Sequence, residues 1–290
     1  MEIILAKSAG FCFGVKRAIN MATECATDEH TDDIHTLGPI IHNPQVVKNL
    51  EDKSKIMAKK SLDEIDSGTV IIRSHGVKLE ELHEAGDKGL KVVDATCPFV
   101  KKAQEFVSEL TRDGYSVIVV GEEEHPEVQG IKSFGGPDII VAKNAEAIKG
   151  LGRKKKIGIV AQTTQSEKNL EEIANACMEK SDDVKICNTI CSATSVRQTQ
   201  SVDLAKEVDC MIVIGGKNSA NTRRLAEICR SLQKNTFHIE VASELKSEWL
   251  TGVNKLGVTA GASTPDWIIE NVLKRVEEIS LEIEGNKKSA

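Results

Sequence analysis

Cys12 and Cys97 open the same seven-residue phrase, C-x-x-V-K-[RK]-A, as "CFGVKRA" and "CPFVKKA". A weaker third copy, "CSATSVRQ", begins at Cys191 and brings in Val196 and Arg197 after an insertion. The cysteines stand 85 and 94 residues apart, and 99 residues follow the last. An internal repeat constrains a fold strongly, because every copy must build the same unit. Other segments recur in the same order. "KIMAKKSLDEI" (55–65), "IIVAKNAEAIKG" (139–150) and "IEVASELKSEWL" (239–250) each read as a strand, then Ala-Lys or Ala-Ser, then a helical turn.

Six further segments are continuous apolar runs that end in Gly, His, Ser or Thr. They are "IHTLGPIIHNP" (34–44), "TVIIRSHG" (69–76), "YSVIVVGEEEHPE" (115–127), "KIGIVAQTTQS" (156–166), "CMIVIGGKNSAN" (210–221) and "KLGVTAGASTP" (255–265). Unbroken apolar strands alternating with helical patterns predict parallel sheets covered by helices. The expected fold is α/β, with three pseudo-symmetric small units of mostly parallel sheet packed around a shared centre. Their expected limits are 1–97, 98–190 and 191–290.

Ligands of open α/β sheets bind beyond the carboxyl ends of the strands. The polar residues there are His42, His75, His125, Glu127, Thr163, Thr164, Ser219, Asn221 and Ser263. With one cysteine per unit, they would wall a three-cysteine site. A thiol just before a helix is stabilised as thiolate by the helix's free N–H groups and dipole. Three thiolates could hold zinc, although no fourth protein ligand is specified. They could equally hold an iron–sulfur cluster with one iron left open. No C-x-x-C pair occurs, which disfavours zinc-finger and ferredoxin-type sites.

The other five cysteines are read differently. Cys25, Cys177, Cys210 and Cys229 fall on apolar faces and are expected to pack in the core. Cys187, four residues before Cys191, is the alternative third ligand. His30, His35, His83 and His238 read as ordinary residues. His42, His75 and His125 at equivalent places could bind metal or donate hydrogen bonds to an anion. Anion binding is the reading that leaves the cysteines their role. "KNSANT" (217–222) and "ASTP" (262–265) suit both helix capping and phosphate binding at a helix N-terminus. "GGKNS" matches neither a P-loop nor a dinucleotide fingerprint. Glu127, beside an open iron, could relay protons.

Several classes are disfavoured. The net charge of −6 and the 3% aromatic content argue against nucleic acid as the main ligand. No apolar run approaches membrane-spanning length, and the stretch before Cys12 is too short for a signal peptide. A cytoplasmic protein is expected.

The combination "AGFCFGVKRAI", "IHNP", "RSHGV", "DATCP", "GEEEHPEVQG", "AQTT", "KNSANT" and "GVTAGASTPDW", in this order, resembles the 4-hydroxy-3-methylbut-2-enyl diphosphate reductase family over nearly the whole chain. The resemblance implies a central cavity holding one 4Fe–4S cluster per chain, on Cys12, Cys97 and Cys191, with one open iron. That iron would take the allylic hydroxyl of the substrate. His42, His75 and His125 would surround the substrate, and Ser219, Asn221 and Ser263 would bind its diphosphate. Glu127 and Thr163, with Thr164 as its neighbour, would manage the hydroxyl and its protons, His125 being counted with them as catalytic. The products would be isopentenyl and dimethylallyl diphosphate of the methylerythritol phosphate pathway. Reduced ferredoxin or flavodoxin would supply the electrons. The chain departs from many relatives at Ala220, where they carry a second serine. An iron–sulfur hydro-lyase and a non-enzymatic iron–sulfur regulator are the alternatives.

Overall fold

The computed structural model describes residues 1–27 and 33–289. Among them, strands form three four-stranded sheets, parallel throughout. In chain order after β1 (Glu2–Leu5), the first sheet comprises β2 (Ile34–Leu37), β3 (Met57–Lys59), β4 (Thr69–Ile72) and β5 (Lys91–Asp94). The second holds β6 (Ser116–Val120), β7 (Ile140–Ala142), β8 (Ile157–Ala161) and β9 (Val184–Cys187). The third holds β10 (Cys210–Ile214), β11 (Thr236–Ile239) and β12 (Lys255–Ala260), and it takes β1 as its fourth strand. The spatial orders are β3-β2-β4-β5, β7-β6-β8-β9 and β11-β10-β12-β1. Each sheet therefore runs second, first, third, fourth. The three-unit α/β reading holds, and β1, at the start of the 1–97 stretch, pairs with β12 in the sheet of residues 210–260.

The chain forms two compact units. The first unit, Met1–Cys12, His42–Val46 and Ser192–Ala290, contains the sheet of β1 and β10–β12. The second unit, Phe13–Ile41 and Val47–Cys191, contains the other two sheets.

The apolar runs become central strands because both faces are covered. In the second unit, Val117, Val119 and Val160 pack against Val100, Ala103 and Val107 of α4 (Pro98–Arg112) and Val128 and Ile131 of α5 (Pro126–Ser133). Ile118, Val120, Ile157 and Ile159 point the other way, onto Leu170 and Ile173 of α7 (Glu167–Met178). Alternation is hidden in the sequence because each face meets a helix. In the first unit, Ile212, Ile214 and Val258 pack on Ile268, Val272 and Val276 of α10 (Asp266–Ser289). Met211 and Val213 meet Leu204 of α8 (Ser192–Glu207) and Leu225 of α9 (Ala220–Leu232). Each buried Val, Leu, Ile or Met side chain among them contributes roughly 1.5–3 kcal/mol. These cores hold the strand ends, and with them the polar residues, in place.

Candidate functional site

The predicted polar residues occupy equivalent register positions. Five residues past the first strand of each sheet stand His42, His125 and Ser219. Three residues past the third strand stand His75, Thr164 and Ser263. Glu127 and Asn221 are also equivalent, seven residues past their strands. Because strands in a parallel sheet end along one edge, each pair of central strands presents its polar residues at the carboxyl edge of its own sheet.

In the second unit His125 caps α5, its Nδ1 accepting the Glu127 N–H at 3.1 Å. An accepting Nδ1 places the proton of the neutral ring on Nε2. The His75 and His125 rings meet edge to face, with centroids 6.0 Å apart. Glu127, in the first turn of α5, is 2% exposed, and its Oε1 accepts the Thr163 N–H at 2.7 Å. Burial pushes the Glu127 carboxyl up to about 7, against the opposing pull of the Thr163 N–H and hydroxyl. His75, His125, Glu127 and Thr163 are thus gathered in one unit, with Thr163 rather than Thr164 on the carboxylate.

The raised carboxyl has a consequence for stability. Below pH 4.5 the acid is protonated in both folded and unfolded chains and costs nothing. From 4.5 to about 7 the unfolded chain loses this proton first, so stability falls as pH rises, and the full penalty persists above. Glu127→Gln is expected to match the native protein in urea unfolding at pH 4.5 and to exceed it by roughly 3 kcal/mol at pH 8. Equal curves at both pH values would show that the acid is not held protonated.

In the first unit Ser219 caps α9, its Oγ accepting the Thr222 N–H at 3.3 Å. Capping leaves the hydroxyl proton available. Asn221 is 5% exposed, and among the described residues neither its Oδ1 nor its Nδ2 has a hydrogen-bond partner. A buried unsatisfied polar group costs about 1–3 kcal/mol, a cost that a ligand bound to the amide would remove. The His42 carbonyl accepts the Ser263 hydroxyl at 3.1 Å and also crowds Gly216, where a Cβ would lie 2.8 Å from it.

The three repeat cysteines share one backbone device. Cys12 N–H donates to Ala262 O at 3.1 Å, Cys97 N–H to Ser74 O at 2.9 Å and Cys191 N–H to Thr163 O at 3.0 Å. Each acceptor lies two residues past the third strand of the same sheet. Cys97 is the N-cap position of α4, Cys191 directly precedes α8, and Cys12 directly precedes α1 (Phe13–Thr27). All three are partly exposed. By contrast Cys177, Cys210 and Cys229 are buried, and burial pushes their thiols up to about 11. Cys187 is buried among Val100, Val107 and Val160, and burial raises its thiol as well. Cys25 is partly exposed on α1, less enclosed than its apolar reading implied. Neither unit alone gathers three His, Cys, Asp or Glu side chains at metal-holding spacing among the described residues.

Three supporting residues escape a reading of the sequence. Arg197 is 3% exposed, and its guanidinium donates to the carbonyls of Ser8 at 2.5 Å, Gly10 at 2.6 Å and Ala260 at 3.1 Å. It fixes the loop that leads to Cys12. Arg17 donates to Thr96 O at 3.2 Å and so holds the residue before Cys97. Gly14 leaves space for a sulfur, since a Cβ there would lie 2.5 Å from Cys97 Sγ. The repeat phrase contains all three positions, but what they touch is set by contacts distant in the chain. Among the histidines read as ordinary, His83 is exposed and His35 half-buried. His238 Nε2 lies 2.8 Å from Gly215 O, while His30 falls outside the described residues.

A family model described as LytB protein matches residues 3–277. The chain is 56% identical over 281 residues to the 4-hydroxy-3-methylbut-2-enyl diphosphate reductase of Pelobacter propionicus, covering 97% of this chain and 99% of that one. It is 55% identical over 286 residues to the enzyme of the same name from Geobacter sulfurreducens, covering 98% and 100%. A solved structure of (E)-4-hydroxy-3-methyl-but-2-enyl diphosphate reductase, described as the terminal enzyme of the non-mevalonate pathway, aligns with a TM-score of 0.70 at 49% identity, over 96% of this chain and 100% of that one. The E-1-hydroxy-2-methyl-but-2-enyl-4-diphosphate reductase of Plasmodium falciparum aligns with a TM-score of 0.89 at 27% identity, over 94% and 87%.

Proposed function

Because the chain belongs to the LytB family, whose named relatives are reductases, we propose that it removes the allylic hydroxyl of 4-hydroxy-3-methylbut-2-enyl diphosphate reductively, giving isopentenyl and dimethylallyl diphosphate. The observation that carries this reading is the partly exposed cysteine that follows the fourth strand of every sheet and stands at the start of a helix. Cys12, Cys97 and Cys191 are the ligands of one 4Fe–4S cluster. The donor set fits: three thiols are presented at helix N-termini, whereas Cys25 lies in the last turn of α1 and Cys177, Cys187, Cys210 and Cys229 are buried with raised thiols. When bound, such a cluster supplies single electrons and an iron open to an oxygen ligand.

The chain's own groups bind the substrate and move its protons. Ser219, Asn221 and Ser263 bind the diphosphate, assisted by the free N–H groups that begin α9. His42, His75 and His125 flank the substrate. With its Nδ1 occupied by the Glu127 N–H, His125 offers Nε2–H as a donor. Glu127 holds a transferable proton near neutral pH, and Thr163 fixes the carboxyl by two hydrogen bonds. Replacing the hydroxyl by hydrogen takes two electrons from the reductant and two protons: proton transfer from Glu127 would let the C–O bond break with loss of water, and the allyl fragment, reduced by the two electrons, would take the second proton at either end. The reductant is reduced ferredoxin or flavodoxin, and the reaction is cytoplasmic. Among the described residues no helix is long and apolar enough to cross a membrane.

The test is anaerobic purification with iron and sulfide analysis, followed by turnover with reduced methyl viologen. A brown protein that converts the diphosphate alcohol is expected, and a colourless protein with stoichiometric zinc would overturn the reading. Strict need for a reductant separates it from a hydro-lyase. Asn221→Ala is expected to raise KM about 10- to 100-fold, the worth of a hydrogen bond to a charged group, without changing iron content. Ala220→Ser, which adds a hydroxyl at the first position of α9, is expected to leave KM unchanged or lower. Unchanged KM in Asn221→Ala would remove the residue from the diphosphate site.

A further inference from the structure

We infer that the first turns of α1 and α4 form the docking surface for an acidic electron-carrier protein. The inference rests on the reductase reading, which requires such a carrier, and deepens it by naming where the carrier lands. Two large apolar side chains stand in water there. Phe13 is 64% exposed and Phe99 is 40% exposed. Both are in the second unit, and their helix turns are packed together. Arg17 of α1 donates to Thr96 O at 3.2 Å, and the Gly14 position lies against Cys97 Sγ. A single exposed apolar residue is ordinary, but two phenylalanines on adjoining helix turns make an apolar patch of the kind a partner covers, and aromatics are the usual centre of an interface.

Charge selects the partner. Lys16 and Arg17 follow Phe13, Lys101 and Lys102 follow Phe99, and neither helix has an acid in its first turn. Lys101 bridges Asp94 at 2.5 Å and Lys102 bridges Glu105 at 3.1 Å. Such exposed pairs contribute little and exchange readily. The chain as a whole carries a charge of −6 and would repel an acidic protein. A local basic rim around an apolar centre is what steers an acidic carrier to one place. The same turns follow directly on Cys12 and Cys97, so a carrier seated there is separated from two proposed cluster ligands by a single turn of backbone. Phe13 and Phe99 supply the apolar centre, and the four bases supply the attraction and its salt sensitivity.

The probe is flavodoxin, an acidic one-electron FMN protein, with reduced methyl viologen as the small-molecule reference. Phe99→Ser and the double variant Lys16→Glu/Lys102→Glu alter only exposed side chains. Each is expected to weaken flavodoxin binding, read by calorimetry on the oxidised proteins, ~10-fold or more. Flavodoxin-supported turnover at limiting carrier should fall in parallel, while methyl viologen turnover and iron content stay at the native level. Added salt should weaken native binding and have less effect on the double variant. Native binding in both variants, or equal losses with both reductants, would overturn the docking surface. So would a native dimer in light scattering that Phe99→Ser dissolves, because a second copy would then cover the patch. A native protein inactive with methyl viologen would instead defeat the reductase reading.

Discussion

Cys12→Ser, Cys97→Ser and Cys191→Ser each lose most of the bound iron, whereas Cys187→Ser keeps it. A serine hydroxyl stays protonated near neutral pH and is a poor ligand for iron, which needs the deprotonated sulfur. The substitution is nearly isosteric, and the backbone N–H bonds from Cys12, Cys97 and Cys191 to the strand-end loops do not involve the sulfur. The fold therefore survives while the ligand is lost. Cys187 sits in the core with Val100, Val107 and Val160, so replacing it places a hydroxyl in an apolar site and costs about 1–3 kcal/mol of stability. Iron and sulfide analysis with the visible spectrum reads the first effect, and urea unfolding reads the second. A Cys187→Ser protein without iron, beside an iron-replete Cys191→Ser protein, would mean that the third ligand was assigned to the wrong cysteine.

Much of the architecture was legible in the sequence because both faces of the central strands are covered by helices. This makes β4, β8 and β10 unbroken apolar runs, fully buried in the fold. The sequence repeat also places a cysteine at each strand-to-helix junction. Strand pairing was less legible. β1 follows the same strand-loop-cysteine pattern as β5 and β9, but its partner β12 lies some 250 residues away, and nothing local selects it. The register equivalences were legible in part. His42 and His125 share a position as read, but His75, read as their equivalent, follows a third strand instead, and only the strand ends Leu37, Val120 and Ile214 reveal that Ser219 is the third member of the set. Asn221 was legible as a polar residue at a helix start. That its amide is buried without a partner among the described residues depends on the surrounding fold. Arg197 read as the weak end of a weak repeat. Its reach to Ser8 and Gly10 spans most of the chain, a long-range contact that no period reports.

Glu127→Gln retains the native iron content, binds substrate with near-native affinity and turns over roughly 10²–10⁴-fold more slowly. Glutamine keeps the size of the side chain and can still accept the Thr163 N–H, now made at 2.7 Å, so the turn holding Thr163 and the backbone bond to Cys191 persist. It cannot give up a carboxyl proton. That proton matters because hydroxide leaves with difficulty and water leaves readily. The native acid is suited to this task near neutral pH, because burial has lifted its carboxyl to about 7 and roughly half the population holds a proton there. The pH dependence carries a sign. Native turnover should fall as pH rises through about 7 and the carboxyl ionises, and the residual turnover of Glu127→Gln should lack that limb. Single-turnover measurements with methyl viologen from pH 6 to pH 9 would read both. Native rates in Glu127→Gln would assign the proton to Thr163, to water or to the diphosphate of the substrate, leaving Glu127 to shape the pocket. A rate loss with an unchanged pH profile would make it a positioning residue for Thr163.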